Sequence, residues 1–324
     1  MFSKMVASII RAGVAEHVPR SGASKARGAL RIQARRRLAG EETGGIRTEN
    51  VVWIFGAGRT GSTWLSRMMG ELRGHTVWFE PWVGALFDPY HLRLEERKGE
   101  HFIFAPEYRK TWLRSIRRFV LEGALARFPE AVGQDEYLVI KEPGGSAGAP
   151  LLMEALPESR MVLLVRDPRD VVASWMDARR EGGWRHKDAN RNRGEGKTET
   201  LADKDPDTYV RERAKSYLRN VGEAKKAYDL HEGRKVLVRY EELRADTLGT
   251  MRRVYSELGI PADEGELARA VEKHSWENIP EEEKGEGKFY RKATSGGWQG
   301  DLTPEQAKTV EKTTAPLLEE LYPS

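Results

Sequence analysis

Cysteine is absent from this 324-residue chain, which excludes disulfides, thiol nucleophiles and cysteine-ligated zinc or iron–sulfur sites. Long apolar runs are absent as well, and no stretch approaches the roughly 18 apolar residues that a membrane-spanning helix requires. The mean hydropathy is -0.64 and charged residues make up 32% of the chain. The seven histidines show no ligand-spaced pairing, so we expect no metal site. These absences predict a soluble, cytoplasmic protein.

Acidic residues are scarce at the start of the chain, where Glu16 is the only one among the first 40 residues. Basic residues are frequent in the same stretch and include Arg11, Arg20, Lys25, Arg27, Arg31, Arg35, Arg36 and Arg37. We therefore interpret residues 1–48 as a basic N-terminal extension and residues 49–324 as one folded domain. The extension either touches an anionic surface or is a solvated, partly helical addition to the core. The net charge of the whole chain is only +4, and no nucleic-acid partner is expected.

Short apolar runs alternate with helical patterns from residue 51 onward. Val51–Phe55 is apolar throughout, as expected for a strand that is buried on both faces of a parallel sheet. Further strands are predicted at residues 76–79, 137–140, 161–165 and 235–240. Helices are predicted at residues 64–72, 108–128, 169–179, 209–229, 241–258, 265–273 and 304–321. This alternation predicts a three-layer α/β/α fold with a mostly parallel sheet, interrupted by two irregular stretches, Glu181–Asp207 and Pro280–Lys288.

A glycine-containing turn lies between the first strand and the first helix, with the sequence FGAGRTGSTW from Phe55 to Trp64. Such a turn places backbone N–H groups and the positive end of the helix dipole around an anion. Compared with the nucleotide-kinase pattern G-x-x-x-x-G-K-[ST], it has serine at the lysine position, Ser62, and carries a cation inside the loop at Arg59. The turn therefore suits a ligand with fewer charges than a nucleoside triphosphate with magnesium. The alternative is a glycine-rich strand–helix turn that binds no ligand.

The residues of this turn resemble the 5′-phosphosulfate loop of sulfotransferases that use 3′-phosphoadenosine 5′-phosphosulfate (PAPS). That loop reads [KR]-[ST]-G-[ST]-T, often followed by tryptophan, and residues 59–64 match it throughout. Residues 161–174 are similar to the family's 3′-phosphate segment, in which a strand ends in an arginine and a serine follows eight residues later. The resemblance implies a P-loop-like sulfotransferase fold, PAPS as co-substrate and no metal. The residues that it implies for PAPS binding are Arg59, Thr60, Gly61, Ser62, Thr63, Trp64, Arg166 and Ser174.

Three later segments resemble the same family in order and spacing. Residues 240–243 are similar to its strand-ending Tyr-Glu-[DE]-Leu, which we interpret as structural. Residues 273–276 resemble the stretch near the adenine, which implies Ser275 and Trp276 as ligands. Residues 289–298 resemble the C-terminal Arg-Lys-Gly…Gly-Asp-Trp, although Gly297 replaces the aspartate of that motif. This segment implies three further residues at the 3′-phosphate, namely Arg291, Lys292 and Ala293, the last of which replaces a glycine.

Sulfuryl transfer requires in-line attack, stabilisation of the leaving phosphate oxygen and a base for the acceptor proton. The resemblance to protein-tyrosine and bacterial sulfotransferases, whose loops carry arginine, implies that Arg59 stabilises the leaving group and that Lys141 supports the sulfuryl oxygens. Cytosolic small-molecule enzymes have a catalytic histidine where this chain has Pro143. The resemblance therefore points to Glu80, which follows the second strand, as the general base. Glu142, another group or no base at all are the alternatives.

Two other functions stay open at this point. A P-loop kinase or nucleotide hydrolase would depend on magnesium, and a catalytically inactive relative would bind the nucleotide without turnover. The acceptor is expected to be a small molecule, carbohydrate or lipid with a hydroxyl or amine group, and the oligomeric state does not follow from the sequence. Aromatic residues between positions 80 and 134 are predicted to line much of the acceptor pocket, namely Trp82, Phe87, Tyr90, Phe102, Phe104, Tyr108 and Trp112.

Overall fold

Five parallel strands form the central sheet in the order β2-β3-β1-β4-β5. The computed structural model describes residues 45–93, 105–179, 183–184 and 205–322, without the side chains of residues 89–93. The predicted N-terminal extension lies outside the described residues up to residue 44, as does most of the stretch 181–207. The strands are β1 (Val51–Gly56), β2 (His75–Phe79), β3 (Tyr137–Lys141), β4 (Arg160–Val165) and β5 (Lys235–Arg239).

The middle strands are apolar throughout because both faces of the sheet are covered. Every residue of β1 and β3 is buried. Trp53 and Phe55 contribute to the core on one face, whereas Val52 and Ile54 contribute to the core on the other. The hydrophobic effect thus stabilises the sheet from both sides, and the predicted mostly parallel sheet is confirmed.

Ten helices are named in the described residues, and they surround the sheet. They are α1 (Ser62–Gly70), α2 (Val83–Arg93), α3 (Pro106–Arg127), α4 (Ala149–Ala155), α5 (Pro168–Arg179), α6 (Pro206–Leu230), α7 (Tyr240–Ala245), α8 (Thr247–Leu258), α9 (Glu264–Lys273) and α10 (Pro304–Leu321). Side chains of α1, α7, α8 and α9 pack on one face of the sheet, and those of α3, α4, α6 and α10 pack on the other. The three-layer α/β/α architecture is therefore confirmed. None of the helices in the described ranges is long and apolar enough to cross a membrane.

The predicted elements differ from the structure at four places. The predicted helix 241–258 is two helices, because Asp246 leaves the helical conformation and its side chain caps α8 by accepting from the Gly249 N–H. Tyr240 begins α7 and does not end β5. Helices α2 and α4 were not predicted, since each contains a proline within a short segment and α2 also contains Gly84 near its start.

The loops that follow β1, β3 and β4 meet at one edge of the sheet. Parallel strands end at the same edge, and open α/β sheets bind their ligands in the crevice beyond these ends. β1 leads into the glycine-containing turn, β3 ends at Lys141, and β4 is followed by Arg166. The segment 280–288, predicted to be irregular, contains a short 3-10 turn, Glu281–Glu283, and Lys284, which forms an isolated β-bridge with Tyr290.

Candidate active site

Two glycines allow the turn between β1 and α1 to close tightly. Gly61 has a φ of 90°, and a Cβ there would lie 2.7 Å from the ring of Tyr240. A Cβ at Gly56 would lie 2.1 Å from the Leu164 carbonyl oxygen. Since Gly61 caps α1 without a side-chain hydrogen bond, the first N–H groups of the helix are left to bind an anion.

Arg59 extends from this turn towards the residue predicted to hold the 3′-phosphate. Its Nε donates to Ser174 Oγ at 3.0 Å, and a terminal nitrogen donates to the Phe289 carbonyl at 2.7 Å. The guanidinium also lies over the rings of Trp184 and Phe289. Burial and the neighbouring Arg166 lower the pKa of Arg59 to about 10, so the side chain remains charged at neutral pH.

Arg166 follows β4 and contacts the same turn. One of its terminal nitrogens donates to the Arg59 carbonyl at 3.2 Å, and the other donates to the Thr294 carbonyl at 3.0 Å. Its guanidinium lies 4.3 Å from the centre of the Tyr240 ring, while its buried Nε makes no hydrogen bond to a residue that the structure describes. The two anion-binding places predicted from the sequence therefore adjoin, as a ligand with two anionic ends requires.

The C-terminal cations Arg291 and Lys292 are both paired with Asp301. Arg291 forms an ion pair with Asp301 and lies 3.6 Å from Asp177, and Lys292 donates to Asp301 at 2.9 Å. Burial disfavours the charged form of Asp301 and by itself would raise its pKa. Hydrogen bonds from the two cations outweigh this effect and hold the pKa of Asp301 below the ordinary value. Ala293 has a φ of 48°, the left-handed region that favours the glycine it replaces. The cations are thus held at the cleft by an acid that sequence reasoning missed.

Two buried acids of α5, also missed, fasten the C-terminal segment over the cleft. Asp170 accepts from the N–H groups of Gly296 at 2.8 Å and Trp298 at 3.0 Å. Asp177, seven residues later on the same side of α5, accepts from the Gly287 N–H at 2.9 Å. The only sequence signal for these roles was the spacing of two acids along one helix face, because their partners lie more than 100 residues away.

The residues predicted at the adenine divide into two groups. Trp64 lines the cleft, donates from its indole nitrogen to the His274 carbonyl at 2.8 Å and meets the Tyr240 ring edge-on. Trp276 lines the same cleft. Ser275 is not part of this lining, and neither is Thr60, whose hydroxyl is buried and donates to the Ala57 carbonyl at 2.8 Å. Thr60 therefore stabilises the turn itself.

Glu80 and Lys141 form an ion pair at the other end of the cleft. The Glu80 N–H donates to the Lys141 carbonyl at 2.9 Å, and the Lys141 ammonium donates to the Glu80 carboxylate. The ammonium also lies 4.0 Å from the centre of the Phe79 ring. Burial lowers the pKa of Lys141, while Glu80 opposes this effect. The Lys141 side chain is only 3% exposed but that of Glu80 is 35% exposed, so Glu80 is the member of the pair that an acceptor can reach.

The backbone around Glu80 is strained. Glu80 and Trp82 have φ angles of 47° and 60°, which residues other than glycine rarely adopt. The Trp82 ring lies 3.1 Å from the position that a Cβ of Gly144 would take, so the turn packs closely against the segment after β3. Strain of this kind persists where surrounding contacts enforce it, and it is common at active sites.

Glu142, the alternative base, is buried against the start of α2. The N–H groups of Trp82, Val83 and Gly84 are oriented towards its carboxyl, although neither oxygen makes a hydrogen bond of ordinary geometry with any of the described residues. Burial raises the pKa of Glu142 from 4.5 to about 8, and the backbone N–H groups oppose this only in part. At neutral pH the carboxyl is therefore protonated and cannot accept a proton.

Glu142→Gln is expected to make stability less dependent on pH. Because the pKa of Glu142 is higher in the folded protein, its effect favours folding at low pH and is lost progressively between pH 4.5 and about 8. Glutamine has no such titration. Melting temperatures measured across this pH range should show that the stability of Glu142→Gln increases relative to that of the wild type as pH rises. The exposed control Glu107→Gln should show no such increase. Parallel curves for wild type and Glu142→Gln would contradict this.

One cleft of about 640 Å³ joins the cationic residues around Arg59 and Arg166 to the Glu80–Lys141 pair. Its lining includes most of the glycine-containing turn, Arg166, Ser174, Arg291, Lys292 and Ala293, and also Glu80 and Lys141. Of the aromatic residues predicted for the acceptor pocket, Trp82 lines the cleft, Phe87 packs at the core, and Tyr108 and Trp112 are exposed on α3. The side chains of Tyr90, Phe102 and Phe104 lie outside the described residues.

The parallel sheet, the glycine-containing turn after β1 and the cationic cleft define a P-loop-like α/β protein. Residues 52–264 match the model of the Sulfotransferase family, which is more than half of the chain. The chain belongs to the Sulfotransferase family. This membership decides against the kinase alternative.

Relatives and solved structures agree with the family assignment. Over 158 residues the chain is 29% identical to the omega-hydroxy-beta-dihydromenaquinone-9 sulfotransferases Stf3 of Mycobacterium bovis and Mycobacterium tuberculosis. That segment is 48% of this chain but only 35% of each relative, so the match spans about a third of their length.

Two solved structures share the fold. Sulfotransferase STF9 from Mycobacterium avium has a TM-score of 0.56 at 15% identity, over 90% of this chain and 80% of its own. Mouse sulfotransferase SULT7A1 complexed with PAP has a TM-score of 0.50 at 13% identity, over 85% of this chain and 86% of its own. The predicted sulfotransferase fold is thereby confirmed.

Proposed function

We propose that this protein transfers the sulfuryl group of PAPS to the hydroxyl of a small-molecule acceptor. The observation that carries the proposal is that a single cleft holds an anion-binding end, built by Arg59, Arg166 and Ser174, and an acid–base pair, Glu80 and Lys141. A protein that only binds the nucleotide needs the anion-binding end but has no use for the acid–base pair. The mouse enzyme of the same fold is complexed with PAP, the product of such a transfer.

The cleft offers a contact for each part of the co-substrate. The N–H groups at the start of α1 face the 5′-phosphosulfate, and Arg166 and Ser174 face the 3′-phosphate. The buried Nε of Arg166 has no hydrogen-bond partner within the described part of the chain, and a phosphate oxygen would satisfy it. Trp64 and Trp276 offer aromatic rings for the adenine. Asp301 already forms an ion pair with Arg291, so a 3′-phosphate bound near Arg291 would share this cation with the Asp301 carboxylate.

Glu80 accepts the proton of the acceptor hydroxyl in this proposal. The acceptor oxygen then forms its bond to sulfur while the bond between sulfur and the bridging oxygen of the 5′-phosphate breaks, and the electron pair goes to that phosphate. Lys141 and Arg59 stabilise the charge that develops on the sulfuryl and leaving oxygens. The Glu80 carboxylate forms an ion pair with Lys141, and a carboxylate that can take up a proton is what a general base must supply.

The cleft lining near Glu80 has both apolar and polar members. Phe79 and Trp82 are exposed there, and Arg219 and Asn220 of α6 line the same cleft. An alcohol with an apolar body suits this arrangement, and the mycobacterial relatives are named for an omega-hydroxy menaquinone. We therefore infer that the acceptor is an apolar alcohol.

A transfer assay tests the proposal directly. Purified protein is incubated with sulfur-labelled PAPS and a panel of long-chain, polyisoprenoid and steroid alcohols, together with sugars as the polar comparison. We expect label in at least one apolar alcohol and PAP as the other product. Calorimetry should show binding of PAP in the absence of metal and no binding of ATP with magnesium. Binding of PAP without transfer to any acceptor would favour the inactive relative.

A further inference from the structure

Asp170 contacts both Arg166 and the C-terminal segment of the cleft. It stands in the first turn of α5, its side chain is only 3% exposed, and it belongs to the cleft lining. Its Oδ2 accepts from the Gly296 N–H at 2.8 Å, and its Oδ1 accepts from the Trp298 N–H at 3.0 Å. A buried charge requires such hydrogen bonds. Both oxygens of the carboxylate therefore hold the backbone of the C-terminal segment.

The same carboxylate faces Arg166, four residues earlier in the chain. Oδ2 of Asp170 lies 3.9 Å from a terminal nitrogen of Arg166, and that nitrogen also donates to the Thr294 carbonyl at 3.0 Å. The contacts close a ring, since Asp170 holds Gly296 and faces Arg166, while Arg166 holds Thr294. We call Asp170, Arg166 and residues 294–298 the clasp. The direction of the Arg166 guanidinium and the path of the segment thus depend on one carboxylate.

The clasp also fixes the start of a short 3-10 turn, Gly297–Gly300. Gly296 precedes this turn and has no side chain with which to cap it, so Asp170 supplies the cap from α5. The residue before Asp170 adds a second contact, because the guanidinium of Arg169 lies 4.2 Å from the centre of the Trp298 ring. Two neighbouring residues of α5 therefore hold the backbone and the ring of the same turn.

The clasp joins the two parts of the chain that carry the residues predicted at the 3′-phosphate. Arg166 comes from the end of β4, whereas residues 291–293 directly precede Thr294 and line the cleft from the C-terminal segment. Asp170 contacts both parts. Among the described residues it forms no hydrogen bond or ion pair with the turn 57–64, which faces the 5′-phosphate in the proposed function. Its influence should therefore fall on the 3′-phosphate end of the nucleotide.

We propose that Asp170 is a positioning residue that sets the preference of the cleft for nucleotides with a 3′-phosphate. It acts by orienting Arg166 and by holding residues 291–298, and the inference rests on the proposed function, which places the 3′-phosphate at Arg166. A carboxylate near an anion site repels the anion by its charge alone. The repulsion and the positioning effect thus have opposite signs, so removal of the charge shows which of the two is larger. We expect the positioning effect to be larger.

Asp170→Asn tests the proposal through the affinities for two nucleotides, PAP and adenosine 5′-monophosphate (AMP), which lacks the 3′-phosphate. Asparagine keeps the shape of the side chain, but its NH₂ group cannot accept from one of the two backbone N–H groups, and the charge that faces Arg166 is lost. Calorimetry on the full chain should show PAP affinity about tenfold lower or more, and AMP affinity within about threefold of the wild type. The KM for PAPS should rise by a larger factor than turnover falls.

Asp205→Asn is the matched control. Asp205 also accepts from two backbone N–H groups, at the start of α6, but it is not part of the cleft lining, so its loss should leave the ratio of PAP to AMP affinity unchanged. Asp170→Ser is the second variant in case the amide does not fold, because it removes the charge without introducing an NH₂ group. In the double variant Arg166→Ala/Asp170→Asn, the loss of PAP affinity should be clearly smaller than the product of the two single losses.

Three results would overturn the proposal. They are PAP affinity in the folded Asp170 variants that equals or exceeds that of the wild type, equal losses of PAP and AMP affinity, and single losses that multiply fully in the double variant. A wild type that binds PAP no more tightly than AMP would instead contradict the proposed function, on which this inference rests. Melting temperatures of the same samples show whether the variants are folded, and a merely structural role of Asp170 would lower them without changing the preference for PAP over AMP.

Discussion

Glu80→Gln should lower turnover about 100- to 10,000-fold while leaving the affinity for PAP unchanged. Glutamine keeps the size of the side chain and can still accept a hydrogen bond from Lys141, but it cannot take a proton from the acceptor. The proposed nucleotide contacts, Arg166 and Ser174, are other residues of the cleft lining and are not altered. Steady-state turnover with labelled PAPS and calorimetry with PAP measure the two effects separately.

Glu142→Gln is the matched control for this variant. Glu142 directly follows Lys141, and its carboxyl is buried and protonated at neutral pH, so the amide should retain turnover within about tenfold of the wild type. A Glu80→Gln enzyme with wild-type turnover would remove Glu80 from the mechanism. A large loss in Glu142→Gln alone would assign the base to the buried carboxyl.

Arg59→Ala is expected to lower both PAP affinity and turnover, with the larger effect on turnover. Removing one preorganised donor to a transition-state oxygen typically costs about 100- to 1,000-fold in turnover. The loss of a charge-assisted hydrogen bond in the ground state costs about tenfold or more in affinity. Because the pKa of Arg59 is about 10, its contribution should be constant from neutral pH to about pH 9 and fall above that.

Arg67→Ala provides the comparison for Arg59→Ala. Arg67 lies on the exposed side of α1 and donates to the Tyr290 hydroxyl, but it is not part of the cleft lining. The Arg67→Ala substitution should leave the turnover and the affinity for PAP nearly unchanged. If Arg59→Ala retained the wild-type rate, the proposed stabilisation of the leaving group would be wrong.

The sheet and the tight glycine-containing turn after β1 were predictable because their signals are local. A strand buried on both faces must be apolar at every position, and residues 51–55 show this directly. The turn needs glycines where a side chain would clash, and Gly56 and Gly61 are such positions. Helices α2 and α4 were missed because short segments with proline depend on tertiary packing more than on propensity.

The arrangement of the site depends on contacts that no local pattern contains. Asp170 and Asp177 bind backbone groups of a segment more than 100 residues later, and Asp301 balances two cations that the motif alone presents as free ligands. The strained backbone at Glu80 is equally invisible in the sequence. Ser275 matched a motif but does not line the cleft, since a motif specifies the order of residues and not the direction of a side chain.

The central claim is that one sulfated nucleotide spans the two adjoining anion sites, and a crystal structure of the PAP complex tests it most directly. The account predicts the 5′-phosphate on the N–H groups of residues 61–64 and the 3′-phosphate within hydrogen-bond distance of Arg166 and Ser174. It also predicts the adenine beside Trp64. A nucleotide bound with its 3′-phosphate away from Arg166, or outside this cleft altogether, would contradict the account.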